Sequence, residues 1–140
     1  SVVDDLIEQE GQKNPDAALL KTIPGVGWFS ALLLASAIDG VGRFSDAEHL
    51  VSYAGLAPTT RQSGNVTRSG HISKQGNSQM RWALVQCAWI AIRHSKRFRK
   101  KYMKIRRKKN GKTAITAVAR KMLTVAYFML SRREVYSEMA

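Results

Sequence analysis

Residues 49–133 contain no aspartate or glutamate, an acid-free span of 85 residues. That absence excludes carboxylate acid–base pairs and carboxylate metal sites from the span. Cysteine is almost missing too. The single Cys87 cannot close an intrachain disulfide, and its place in an apolar run marks it as a buried thiol suited to a reducing compartment. The three histidines, His49, His71 and His94, are scattered and form no metal-ligand cluster. No signal-peptide pattern opens the sequence, and the best bilayer-length candidate is interrupted by Arg120 and Lys121. Internal repeats and low-complexity tracts are absent.

Cations fill the space the acids leave. Of 23 Lys and Arg residues, 20 lie between Arg61 and Arg133, whereas the first 48 residues hold eight of the ten acids. The net charge is +13 and the pI about 10.4. Such segregation points to a polyanionic partner, because neutralising phosphates releases counterions and supplies most non-specific affinity. A basic surface serving solubility alone would not require excluding acids over so long a span. An anionic membrane fits less well, since no basic helical face opposes an aromatic one. With 44% hydrophobic residues and a length of 140, the chain reads as one folded domain with a real core.

The pattern along the chain is helical. Residues 1–13 read as the end of a helix with Asp4, Asp5, Glu8 and Glu10 on its polar side. Asn14-Pro15 signals a new start, with Asn as cap and Pro at the first helical position. The run Ile23-Pro24-Gly25-Val26-Gly27 breaks that helix, and another follows over 28–38, ended by Gly40 and Gly42. Ser45-Asp46-Ala47-Glu48 reads as a capping box that opens a helix reaching Gly55. Residues 56–75 read as irregular. Residues 82–92 are apolar at ten of eleven positions, which predicts a helix buried all round. A basic helix follows, closed by Asn110-Gly111. The last, over 113–131, carries an apolar stripe of Ile115, Val118, Met122, Val125 and Met129. The class is α, with one irregular Gly/Ser-rich loop.

Three segments carry candidate function. Helix, I-P-G-V-G, helix over about 16–38 resembles a helix-hairpin-helix motif. Gly25 and Gly27 would let the turn tighten and the next helix's first amides face a phosphate, while Ile23 and Val26 pack the two helices together. An ordinary αα-hairpin would use the same glycines for the turn alone. The stretch 93–112 holds twelve cations in twenty positions, among them Arg97, Lys100, Lys101 and Lys104. A helix this crowded repels itself through i,i+4 pairs and should fray without a counter-charge, which a nucleic acid would provide. The third segment, residues 55–81, has four glycines, four serines and the cations Arg61, Arg68, Lys74 and Arg81. Its serines, Ser63, Ser69, Ser73 and Ser78, are weak nucleophiles that need a base or strong electrostatic activation. The only histidine in the loop is His71. On composition alone, serine beside glycine makes turns.

The loop and hairpin together, TIPGVG…YAGLAPTTRQSG…HISKQGNSQMR, resemble the C-terminal domain of RNA-guided (bridge-RNA) insertion-sequence transposases, to which Piv-type DNA invertases are related. The resemblance implies that residues 14–140 form a helical transposase domain and that residues 1–13 end a linker or coiled coil. It implies a serine nucleophile linked covalently to a DNA 5′ phosphate, falling on Ser63 in Gln62-Ser63-Gly64, with Ser73 the alternative. Arg61, Arg68, Lys74 and Arg81 would hold phosphate oxygens. It implies no cofactor among these residues. A divalent metal, Mg, is expected on the carboxylates of an N-terminal RuvC-like DEDD domain outside this sequence, from the same protein or a neighbouring subunit. DNA, a guide RNA and homo-oligomers are the implied partners, in the cytoplasm of a bacterium or archaeon. A helix-hairpin-helix module that binds DNA or RNA without chemistry is the rival reading, and a basic ribosome-associated protein a third.

Overall fold

The computed structural model describes residues 1–58 and 75–139. Every α or β element among them is helical: α1 (Val2–Lys13), α2 (Pro15–Leu20), α3 (Trp28–Ile38), a 3-10 turn (Val41–Arg43), α4 (Ala47–Tyr53), α5 (Gln75–His94), α6 (Lys96–Arg106) and α7 (Gly111–Arg132). The all-α reading holds.

The centre of the fold is α7. Ile115, Val118, Met122 and Met129 are buried as the stripe predicts, and Val125 is half-buried. Ala114, Ala117, Ala119 and Ala126 widen the buried surface, so α2, α4, α5 and α6 can all approach. Each large side chain on this helix contributes about 1.5–3 kcal/mol by leaving water. The helix is long and apolar enough to cross a membrane, Arg120 and Lys121 notwithstanding, but 61% of that window is buried inside the fold.

The second expected core helix is corrected. Trp82, Trp89 and Ile90 on α5 are 55%, 41% and 43% exposed, while Met80, Leu84, Cys87, Ala88 and Ala91 are buried. A 3.6-residue period turns only part of an apolar helix toward α3 and α7, and counting apolar residues does not see the face.

Two helix starts also shift. Asn14 caps α2 as expected, its Oδ1 accepting the Ala17 N–H at 3.0 Å. At α4, however, Asp46 is the cap and not Ser45: its carboxylate accepts the His49 N–H at 2.9 Å and lies 2.7 Å from His49 Nδ1. One carboxylate thus satisfies two donors, chiefly the ring, and this holds Asp46 below the usual carboxylate range. Asn110 does not close α6. It opens α7, accepting the Thr113 N–H at 2.8 Å.

At the other end of the molecule α1 packs on α2 and α3. Gly11 is buried there because a Cβ would overlap the Trp28 ring.

Candidate nucleic-acid interface

The basic helix α6 is fixed at its start. Ser95, only 1% exposed, accepts the Phe98 N–H at 3.2 Å and donates its hydroxyl to Glu138 at 2.9 Å. Glu138 also accepts the Arg97 backbone N–H at 2.9 Å and the Tyr136 hydroxyl at 2.8 Å. The Arg97 N–H is the main reason the Glu138 carboxyl lies below its ordinary range. An anion at a helix N-terminus also complements the macrodipole. With Phe98 fully buried beneath it, α6 forms over Lys96–Arg106 despite its self-repulsion.

The outer wall of α6 is an open groove of about 960 Å³. Arg97, Lys100, Lys101 and Lys104 line it together, joined by Lys96, Arg99, Arg107 and Lys121 of α7, and Glu138 is the one acid on its wall. Lys121 shows what this crowding costs. Burial, then the charges of Arg97 and Lys101, push its ammonium pKa down. A bound anion would relieve that strain.

The hairpin glycines divide the work. Gly25 has φ +92°, and a Cβ there would overlap the Cys87 carbonyl and lie 2.8 Å from the Ala91 nitrogen. It therefore lets the turn close against α5. Ile23 and Val26 are buried beside it. Gly27 caps α3 with no side-chain cap bond and has nothing within 4 Å of a Cβ. Gly27 is exposed at the start of α3, and the Lys21 ammonium lies 5.5 Å from the Trp28 ring.

Arg81 is exposed on α5, its guanidinium over Gly55, whose φ is +74°. Ser63, Arg61, Arg68 and Lys74 lie outside the described residues, as do Ser69, His71 and Ser73. Among the described residues no three His, Cys, Asp or Glu side chains come together as metal ligands. The sequence reading gave no binding role to Arg120, Lys121 or Glu138. The first two were legible as cations set into an apolar stripe. Glu138 had no signal, because its partners at the start of α6 lie about 40 residues away.

A family model described as "Transposase IS116/IS110/IS902 family" matches residues 17–103, more than half of the chain. The chain belongs to this family. It is similar to the pilin gene-inverting protein of Moraxella bovis, 35% identical over 137 residues, covering 95% of this chain and 42% of the relative. The transposase for insertion sequence element IS1111A of Coxiella burnetii is 31% identical over 127 residues, covering 88% of this chain and 35% of the relative. A 43.6 kDa protein of insertion element IS110 from Streptomyces coelicolor is 34% identical over 122 residues, covering 85% and 30%. The chain spans less than half the length of these curated relatives.

Proposed function

We propose that this chain is the DNA-binding and strand-transfer part of an insertion-sequence recombinase. The observation that carries the reading is the α6 groove, where Arg97, Lys100, Lys101, Lys104 and Lys121 share one wall in a member of a transposase family. Cations at this density suit a phosphate backbone, and they carry no base readout of their own. Gly27, exposed and without a side-chain cap bond at the start of α3, suits a second backbone contact of the helix-hairpin-helix kind.

In this reading Ser63 is the nucleophile. Its Oγ forms a bond to phosphorus, the bond from phosphorus to the 3′ oxygen of the leaving strand breaks, and that oxygen leaves as a hydroxyl by taking a proton from water. The serine proton passes to a base, for which His71 or a residue of another domain is the candidate. Arg61, Arg68, Lys74 and Arg81 would neutralise the charge that develops on the phosphate oxygens. No step here runs through a metal. Mg, a RuvC-like domain bearing its carboxylates, a guide RNA and assembly into a homo-oligomer belong to the same proposal for the whole protein.

The test is trapping of a covalent protein–DNA adduct by the full-length protein on a nicked suicide substrate. Ser63→Ala should abolish the adduct while leaving DNA binding within about twofold. Normal adduct levels in that variant would move the nucleophile elsewhere. Absence of adducts from the parent protein, with DNA binding intact, would favour the non-catalytic module.

A further inference from the structure

A second basic groove, of about 600 Å³, lies at the junction of α6 and α7, against the turn at residues 55–58. Its cations are Lys109, Lys112 and Arg120. Arg120 is set apart from the α6 cations by its place, on α7 against the turn. It is half-buried, and burial alone pushes its guanidinium pKa down. Its Nε donates to the Leu56 carbonyl at 2.8 Å, which fixes the plane of the fork. No acid occurs in residues 49–133, so neither this turn nor the α6–α7 junction supplies a counter-ion.

Tying down the turn would need only one neutral donor. A half-buried guanidinium is an expensive way to supply it, and Arg120 is one of the residues lining the groove. Two of the neighbouring polar groups are already engaged. The Thr113 N–H is taken by Asn110, and the Thr116 hydroxyl donates to the Lys112 carbonyl at 2.8 Å. What the groove offers is therefore positive charge with one pre-set fork, the arrangement that meets two oxygens of a phosphate. Its open lining suits a diester within a strand.

We propose that this groove is a nucleic-acid phosphate site in which Arg120 is the fixed donor and Lys109 and Lys112 are the mobile ones. The inference rests on the DNA-binding reading above. It adds a contact that sets the strand's register at Pro58, five residues along the chain from Ser63, where α6 supplies only general affinity.

The experiment is fluorescence anisotropy of this 140-residue chain with a duplex oligonucleotide across a salt series. Lys109→Ala/Lys112→Ala should weaken binding about tenfold and flatten the salt slope by roughly two units. Lys13→Ala/Arg132→Ala, the same charge loss at exposed positions outside both grooves, should change affinity by less than about twofold. Arg120→Lys keeps the charge and loses the fork. It should weaken binding about tenfold at nearly unchanged slope. Should Arg120→Lys unfold, the lysine pair decides.

Groove variants that bind like the parent, or no worse than the control pair, overturn the site. If Lys100→Ala/Lys101→Ala/Lys104→Ala loses affinity in that case, the DNA-binding reading stands alone. A parent chain that does not bind DNA overturns both. An oligoglutamate that binds as tightly as DNA of equal charge, with equal loss in Arg120→Lys, would show a carboxylate site and overturn the phosphate assignment.

Discussion

Glu138 accepts the Arg97 backbone N–H at 2.9 Å, so one of only two acids beyond residue 48 closes the N-terminus of the most basic helix in the chain. The contact joins two segments about 40 residues apart and holds the cationic wall of α6 in place. The same carboxylate sits on the wall of the groove, where it is the nearest thing to a resident anion.

The cap should be measurable. Ser95→Ala removes a buried hydroxyl that serves both Phe98 and Glu138, and should cost about 1–2 kcal/mol. Thermal unfolding should fall by roughly 3–8 °C. An unchanged midpoint would mean that α6 does not depend on this end.

Acid should weaken the same contact. The folded-state pKa of Glu138 is depressed, so its contribution is full above the ordinary glutamate range and is lost as pH falls through the folded value. Glu138→Gln should therefore flatten the stability profile on the acid side. Parallel profiles for the variant and the parent would contradict the assignment.

Gly25 and Gly27 should answer differently. Gly25→Ala meets both a positive φ and the α5 backbone, and should cost about 2–4 kcal/mol. Gly27→Ser enters open space at an N-cap position and should leave stability unchanged or raise it by a few tenths of a kcal/mol. Denaturant unfolding of the two variants gives the comparison.

Cys87 should be inert in the folded chain. Burial raises its thiol pKa, with the Ser30 hydrogen bond opposing, so little thiolate forms at neutral pH. A chromogenic disulfide reagent should react slowly before denaturation and fully after it. Because the folded pKa is raised, the associated stability is present below the ordinary thiol range and is lost as pH rises above it.

Helix existence was largely legible because it rests on local signals. Asn14-Pro15 starts α2, and α3 occupies 28–38, where the glycines on either side place it. The stripe of α7 follows from its period alone. Finer chemistry was less legible. Ser45 and Asp46 are both good caps, and in the fold Asp46 takes the His49 N–H while the Ser45 hydroxyl lies 3.0 Å from the His49 ring. Asn110 could as well have ended one helix as begun the next. Only the geometry of the α6–α7 junction separates those options.

By itself the sequence determined an α fold, a hydrophobic core and the segregation of charge, since each depends on composition and spacing along one chain. Tertiary structure decided which apolar helix lies at the centre, that Gly25 serves packing while Gly27 stays open, and that Lys121 joins the α6 cations. It also set the Arg120 fork against the Leu56 carbonyl, 64 residues away in the sequence. Such pairings arise from how helices dock. Docking depends on the shapes of faces that no linear pattern records.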